Sequence, residues 1–357
     1  MRANFWINLA LLASLTGALP TYGQTEKAVW EAVNSGKNAS FRGVCAISAQ
    51  CCWVSGTKGT VLRTNDAGKT WESIGPPNCD SLDFRDIEAW DEQTAVIMSS
   101  GEEDRIYRTK DGGRTWSLVF EHPNRNAFFD GFAFADTKTG WLMGDPIDGQ
   151  LLILKTNDGG QTWTESPRDQ LPQIEEGEAG FAASGTNIVA FSPTGFAIAL
   201  GGAKPGDEFE RSRIVSTKDD GANWTSQVVP LSRSEAGGIF SVCRLDQESW
   251  AAVGGNYKRA DDTNQTAAFT RDGGLSWRSV SKSSPSGYRS CVACGSDSSG
   301  NPILITVGPN GTDLSRDQGE SWDRIADDGF HALDFSPDQK AGWAAGANGR
   351  ISRWRGH

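Results

Sequence analysis

The stretch Thr64–Trp71, TNDAGKTW, places a carboxylate, two hydroxyls and an indole within eight residues. Five variants of it follow, TKDGGRTW (109–116), TNDGGQTW (156–163), TKDDGANW (217–224), TRDGGLSW (270–277) and SRDQGESW (315–322). We call these six segments boxes. A motif that recurs at regular spacing indicates one structural unit that is repeated, and not one active site. The boxes therefore predict a repeat architecture.

Each box belongs to a longer unit with four short runs of strand-forming residues. In the first unit an aromatic opens one run at Phe41, a second run closes on glycine at WVSG (53–56), TVLRT (60–64) leads into the box, and Trp71 opens the last run. The opening aromatics of the seven units are Phe41, Phe84, Phe129, Phe181, Phe240, Tyr288 and Phe330. Four strands in a unit of about 40 to 60 residues are typical of a β-propeller blade.

Seven units are opened but only six boxes are present, so the seventh unit lacks its last strand. The segment around Trp30 precedes the first unit and has no partner strands of its own. We expect this N-terminal segment to complete the last blade, because closing the ring removes exposed sheet edges. The sequence thus predicts an all-β, seven-bladed propeller of four-stranded blades, with residues 24–357 as one domain.

The boxes have the chemistry of a tight turn between the third and fourth strands. An Asp side chain accepts backbone N–H groups, Gly68 permits a positive φ, and Trp71 is expected to pack between blades. The turn-forming aspartates are Asp66, Asp111, Asp158, Asp219, Asp272 and Asp317. Asn223 stands where the other boxes have Thr or Ser, which predicts a looser turn there.

The N-terminus and the charge restrict where the protein works and what it binds. Residues 1–23 have the pattern of a signal peptide, with Arg2, an apolar run and cleavage after Gly23, so we expect an exported monomer, periplasmic or extracellular. No other run is long enough to span a membrane. The net charge of −11 argues against nucleic acid and anionic lipid as partners. The seven cysteines are interpreted as buried thiols, and their pairing is left open.

The boxes resemble Asp-boxes, or bacterial neuraminidase repeats, which occur in sialidases, oligoxyloglucan-type hydrolases and sortilin-type receptors. The combination of an apolar-Trp-Gly strand such as WLMG (141–144) with DGGxTW is most similar to the photosystem II assembly factor family of plastids and cyanobacteria. That resemblance covers residues 28–354 and implies a seven-bladed, non-catalytic assembly factor. The likeness to sialidases is more distant.

The candidate site is predicted on the face opposite the boxes, where the long insertions at 164–180, 203–212 and 256–266 map. Strand alternation turns the residue after each opening aromatic toward the channel or its mouth. Those residues include Arg289, His331, Arg42 and Arg85, which we expect to form one basic arc. Further candidate binding residues are Asp86, Asp130, Asp145 and Tyr257. Alternatively, the arginines pair with neighbouring acids and only satisfy the channel.

Guanidinium groups suit carboxylates and phosphates, so the arc predicts a protein partner or an anionic small molecule or glycan. The alternative is a sialidase-like or other exported glycoside hydrolase. Three arginines are available for a substrate carboxylate, but the Arg-Ile-Pro of sialidases is absent. We assign no catalytic residue, no metal ligand and no cofactor, because three His and one CxxC (291–294) form no recognisable set.

Overall fold

The computed structural model describes residues 29–101 and 103–356, which form seven antiparallel sheets around a central channel. The predicted signal peptide lies outside the described residues. Blade one contains β2 (Phe41–Ala46), β3 (Cys52–Gly56), β4 (Thr60–Thr64) and β5 (Glu72–Ser73); blade two contains β6 (Asp83–Ala89), β7 (Ala95–Ser100), β8 (Arg105–Thr109) and β9 (Ser117–Glu121); blade three contains β10 (Phe129–Phe134), β11 (Gly140–Ile147), β12 (Gln150–Thr156) and β13 (Thr164–Glu165).

The remaining blades follow the same order. Blade four contains β14 (Ile188–Ser192), β15 (Gly195–Leu200), β17 (Ser212–Thr217) and β18 (Thr225–Val229); blade five contains β20 (Gly237–Arg244), β21 (Trp250–Asn256), β22 (Ala267–Thr270) and β23 (Arg278–Ser279), extended by β19 (Arg233–Ser234) and β16 (Glu208–Phe209); blade six contains β24 (Cys291–Ser296), β25 (Pro302–Gly308), β26 (Gly311–Ser315) and β27 (Asp323–Ala326). A single turn of 3₁₀ helix, Arg168–Gln170, interrupts the loop between blades three and four.

Blade seven closes the ring as predicted. Its strands β28 (Ala332–Phe335), β29 (Gly342–Ala345) and β30 (Arg350–Trp354) are joined by β1 (Trp30–Asn34), which pairs antiparallel with β30. The Trp30 ring lies 5.2 Å from those of Trp354 and Phe330, and its Nε1 donates to Thr312 Oγ1 of blade six at 3.0 Å. One N-terminal side chain therefore contributes to the last blade and to its contact with the neighbouring blade.

The boxes form the same hydrogen-bonded turn in all six blades that have one. In the first, Asp66 Oδ1 accepts from Thr64 Oγ1 and from the Thr70 amide, both at 2.9 Å, and Oδ2 accepts from Thr70 Oγ1 at 2.6 Å. Gly68 has a φ of +79°. The Trp71 ring packs 5.8 Å from that of Trp343 in blade seven. The box thus stabilises both its own hairpin and an inter-blade contact.

The turn at Asn223 is as complete as the others, so the prediction of a looser turn is wrong. The Asn223 amide donates to Asp219 Oδ1 at 2.8 Å, and its side-chain Nδ2 donates to Oδ2 at 2.7 Å. A carboxamide N–H replaces a hydroxyl O–H as donor, and the carboxylate is satisfied in either case.

Five of the seven cysteines are buried in the core as thiols, and the other two are paired. Cys243 of β20 and Cys294 of β24 form a disulfide that joins blades five and six. Burial raises the pKa of the Cys51 thiol to about 11, which keeps it protonated and unreactive at neutral pH.

Candidate functional site

A cavity of about 540 Å³ lies at the mouth of the channel, on the face opposite the boxes. Its walls come from the starts of the first strands, from the loops between blades and from turns between second and third strands. The long loop between blades three and four supplies residues 177–183. We call this surface the cavity face.

β-Bulges direct side chains from four blades into this cavity. The pairing of the first with the second strand skips one residue at Arg42, Arg85, Asp130 and Phe240, and all four line the cavity. A bulged residue leaves the regular in-and-out alternation, so its side chain is aimed away from the inter-blade core. The same local irregularity therefore builds the site in blades one, two, three and five.

Two guanidiniums form the cationic wall of the cavity. Arg85 Nε is paired with Asp83 Oδ2 at 2.9 Å, its Nη1 donates to the Ala182 carbonyl at 3.2 Å, and its guanidinium lies 5.2 Å from the Phe128 ring. Arg42 Nη1 donates to the Ala183 carbonyl at 3.4 Å, and no described carboxylate lies within ion-pair distance of it. Arg42 is half-buried and keeps its charge. Among the described residues Arg42 therefore forms no ion pair, and the nearby Asp83 is paired with Arg85.

His331 lies beside these arginines but is neutral. Burial, followed by the charge of Arg42, lowers the pKa of His331 to about 4. Its Nδ1 is 3.2 Å from the Phe41 carbonyl, which makes Nδ1 the protonated nitrogen. The expected basic arc therefore carries two positive charges at neutral pH, and His331 contributes hydrogen bonding only.

A pair of carboxyl groups occupies another part of the wall. Asp130 is buried, with an exposed fraction of 1%, and Asp145 is half-buried. Burial and the neighbouring Asp145 raise the pKa of Asp130 well above its ordinary value, and burial raises the pKa of Asp145 to about 6. The two carboxyls are neighbours, and each shifts the pKa of the other. At neutral pH the pair therefore shares a proton.

Aromatic rings form the remaining wall. Phe181 stacks on Phe240 with 4.0 Å between ring centroids, and Tyr257 and Tyr288 contact Phe240 edge to face at 6.3 Å and 4.7 Å. Tyr257 is 49% exposed, which is unusual for a large ring and marks the entrance of the cavity. The cavity thus combines cationic, carboxyl and apolar surfaces.

The structure brings together six of the eight predicted site residues in this cavity: Arg42, Arg85, Asp130, Asp145, Tyr257 and His331. Asp86 and Arg289 lie elsewhere. Asp86 points into the channel, where its Oδ1 accepts from the Ile87 amide at 2.8 Å and its Oδ2 from the Phe132 amide at 3.0 Å. It links the first strands of blades two and three.

Arg289 is a correction to the predicted basic arc. Its side chain is fully buried and forms an ion pair with Asp313 of β26, and its Nη1 donates to Asn310 Oδ1 at 2.7 Å. The Arg289 amide donates to the carbonyl of Gly254, a glycine near the end of the second strand of the preceding blade. The amides of Phe41 and Phe330 donate to the equivalent glycines of the blades that precede them. Arg289, and not Tyr288, therefore takes the position of the buried aromatic in blade six, and Ser290 takes the cavity position.

Blade five is also displaced by one residue, but in the opposite direction. Ile239 pairs with Gly254 as Phe41 pairs with Gly56, so Ile239 is the core residue and Phe240 enters the cavity. In blade four the first strand begins at Ile188, and Phe181 belongs to the loop before it. These shifts place Phe181, Phe240 and Tyr288 in the site, which the sequence analysis did not predict.

Below the cavity, the channel contains carboxyl groups. A second cavity of about 630 Å³ opens toward the box face and contains Asp86, Glu88 and Asp334. Burial raises the pKa of these carboxyls to about 7, about 8 and about 6, respectively, with further contributions from their mutual repulsion for Asp86 and Glu88. Within the described residues no group of three or more His, Cys, Asp or Glu side chains has the geometry to hold a metal ion.

Fold and turns define the protein as a seven-bladed β-propeller in which Asp-centred turns join the third and fourth strands. The family model for "Photosynthesis system II assembly factor YCF48" matches residues 23–124, the closing strand and the first two blades. The resemblance predicted from the sequence to the photosystem II assembly factor family is thereby confirmed. No curated protein matches the chain.

Solved structures share the fold at low sequence identity. "YCF48 bound to D1 peptide" aligns with a TM-score of 0.61 at 17% identity, covering 95% of this chain and 99% of that one. YCF48 from Cyanidioschyzon merolae gives 0.60 at 16% identity, covering 92% and 99%. The GH74 xyloglucanase from Xanthomonas campestris gives 0.59 at 15% identity, covering 90% of this chain and 53% of the enzyme. At these identities the likeness establishes the fold alone.

Proposed function

We propose that this protein is an exported, non-catalytic binding protein that recognises a protein partner through the cavity face. Arg42 and Arg85 are the contacts that bind an acidic side chain or another carboxylate of the partner. The proposal rests above all on Arg42, a half-buried guanidinium without a carboxylate partner among the described residues, located in a cavity that is open to solvent.

Burial of an unpaired cation is costly, so a protein usually pairs it. Blade six shows that this chain can do so, since Arg289 and Asp313 pair in the core. Leaving Arg42 unpaired at the cavity mouth is consistent with an anion supplied by a ligand. Burial, then the charge of Arg85, lowers the pKa of Arg42, and both guanidiniums line the same cavity, where an acidic ligand would offset their repulsion.

A macromolecular partner is favoured by the apolar wall. The exposed Tyr257 and the stacked Phe181 and Phe240 resemble the aromatic anchors that dominate protein interfaces. The related structure titled "YCF48 bound to D1 peptide" shows that a propeller of this fold binds a peptide. Export is proposed from the signal-like residues 1–23. The described residues contain no helix that is long and apolar enough to cross a membrane.

The test is a thermal-shift screen of the mature chain against acidic decapeptides, their neutral amide counterparts, sialic acid, uronic acids and inorganic phosphate. We expect acidic peptides to raise the melting temperature and their amide counterparts to have no effect. The Arg42→Ala/Arg85→Ala variant should lose the shift. Arg278→Ala, which removes an exposed arginine on the outermost strand of blade five, is the matched control. Equal binding by the double variant would contradict the proposal.

A glycoside hydrolase is the second candidate, because the cavity holds the carboxyl pair Asp130 and Asp145. Glycosidases separate their two carboxyls by roughly 5 to 10 Å so that a sugar or a water fits between them. The arginine triad of a sialidase is incomplete, since Arg289 is in the core, which favours binding over hydrolysis. Turnover of an aryl glycoside that disappears in Asp130→Asn would reverse this order.

A further inference from the structure

The carboxyl pair in the cavity is the feature that the proposed function leaves unused. Asp130 reaches the cavity at the bulge in β10 of blade three. Asp145 follows Gly144 in β11, at the point where the pairing of β11 with β12 becomes irregular. The amide of Asp145 donates to the Phe128 carbonyl at 2.8 Å, which fixes the backbone of this turn. Both carboxyls are thus held in place by the blade and not by a flexible loop.

Two oxygens of the pair have no hydrogen-bond donor from any other described residue. Apart from the proton that the two carboxyls share, no described donor forms a hydrogen bond with Asp130 Oδ2 or Asp145 Oδ1, although both atoms are buried. Gly180 lies beside Asp130, where a Cβ would be 2.6 Å from Asp130 Oδ2, so this position leaves no room for a side chain. Buried carboxylate oxygens without donors are destabilising, whereas two to three donors from a ligand would satisfy them.

The charges around the pair do not neutralise it. Asp104 is buried nearby and adds a further carboxyl that raises the pKa of Asp130, whereas the positive charge of Arg85 lowers it. Arg85 is itself paired with Asp83. Among the described residues no cation lies within ion-pair distance of Asp130 or Asp145, so the proton that they share is what reduces their mutual repulsion. An ammonium or guanidinium placed there would release this proton to solvent and donate to both oxygens.

We propose that Asp130 and Asp145 form a subsite for a cationic group, an ammonium or guanidinium, of the same ligand whose carboxylate binds Arg42 and Arg85. The inference rests on the proposed function for the anionic half of the ligand, but the cationic subsite can be tested by itself. The ligand class is then zwitterionic: a peptide segment with a basic and an acidic side chain. The aromatic wall of Phe181, Phe240 and Tyr288 lines the same cavity and offers apolar surface to the stretch between the two charges.

The experiment uses three series of small probes with matched chain lengths: ω-amino carboxylates, simple carboxylates and alkylamines. Calorimetric titration of the mature protein should show one ω-amino carboxylate that binds at least about tenfold more tightly than the carboxylate of the same length. Asp130→Asn and Asp145→Asn should remove this advantage and leave the simple carboxylate unaffected. Two isosteric variants are used so that misfolding of one does not decide the result.

Asp148→Asn is the matched control, because Asp148 lies in the same turn with 86% of its side chain exposed and outside the cavity. Titrations in buffers of different ionisation enthalpy should also show proton release of up to about one per bound ammonium. If the amino group adds no affinity, or if the advantage persists in both Asn variants, the cationic subsite is disproved.

The two proposals fail in different ways. If alkylamines bind to the wild type and lose binding in Asp145→Asn, the cationic subsite stands even where simple carboxylates do not bind. If simple carboxylates bind and depend on Arg42 but amines have no effect, the proposed function stands and the cationic subsite fails.

Discussion

The six turns of the box face contain the same hydrogen bonds, whereas the corresponding positions on the cavity face differ from blade to blade. Asp66 and its five counterparts accept from a Thr, Ser or Asn that is four residues on. On the other face the bulges present arginine, aspartate or phenylalanine. Uniform residues stabilise a repeat, and residues that break its symmetry create a single site. The candidate site therefore lies on the face where the blades differ.

Arg42 and Arg289 repeat this contrast within one residue type. Both follow an aromatic in the sequence, FR at 41–42 and YR at 288–289. One lies in the cavity and lacks a carboxylate partner among the described residues, and the other is fully buried beside Asp313. An arginine is therefore assigned to binding or to stability by its partner and not by its local motif.

The largest effect is expected from the strand that closes the ring. Removing residues 29–34 should abolish cooperative unfolding, because β30 and blade six would lose their partner. The smaller change Trp30→Ala should cost about 3–5 kcal/mol, as is typical of a buried tryptophan. Urea denaturation followed by circular dichroism measures both. A cooperative transition of unchanged midpoint after the deletion would show that the ring does not depend on this closure.

The next effect separates the two arginines. Arg289→Ala should destabilise the protein by about 3–5 kcal/mol, since it leaves the Asp313 carboxylate buried and unpaired. The double change Arg289→Met/Asp313→Leu should recover most of this loss. Arg42→Ala should leave the unfolding midpoint nearly unchanged and remove binding of acidic peptides. If Arg42→Ala destabilises as much as Arg289→Ala, Arg42 has a structural role and the contrast fails.

The sequence was sufficient for the fold because the boxes and the glycine-ended strands repeat. Blade number, closure by Trp30 and the face of the insertions all follow from that periodicity. The position of single side chains was less predictable where the repeat is ambiguous. The doublet Gly254-Gly255 permits two registers for blade five, and the structure adopts the one that places Ile239 in the core. The aromatic alone could not decide between them.

The site was predictable to the extent that it depends on strand position. Arg42, Arg85 and Asp130 are in the cavity because blades one, two and three each contribute the residue after their core aromatic. The sequence contained a signal for the burial of Arg289. Asp313 occupies an apolar position of its strand, TDLS (312–315), and a buried carboxylate requires a cation. The aromatic wall depends on how the loop at 177–183 folds against blade five, which periodicity does not determine.

A moderate effect is expected on the box face. Asp111→Ala should lower the melting temperature by a few degrees and leave binding intact, because the Thr115 hydroxyl and amide lose their acceptor. Those hydrogen bonds lower the pKa of Asp111 to about 2. The wild-type advantage is therefore full above about pH 4 and is lost as the pH falls toward about 2. Melting curves of both proteins at neutral and acid pH test this, and loss of binding at unchanged stability would show that the boxes have more than a structural role.

The smallest effect is expected in the channel between the two faces. Glu88 lies there close to Asp86 and Asp334, and no described cation forms an ion pair with it. Burial, then these two carboxyls, raise the pKa of Glu88 to about 8, so the folded state binds this proton more tightly than the unfolded chain does. Stability should therefore decline as the pH rises from about 4.3, the ordinary pKa of a glutamate, to about 8, and become level above that. Glu88→Gln should flatten the decline, and Glu248→Gln, on an exposed turn of the box face, should not. Because Asp86 titrates in the same range, at about 7, a residual slope is expected in Glu88→Gln. An unchanged slope would mean that water in the channel solvates Glu88 as bulk solvent does, and that the channel, unlike the cavity above it, imposes no electrostatic constraint on the fold.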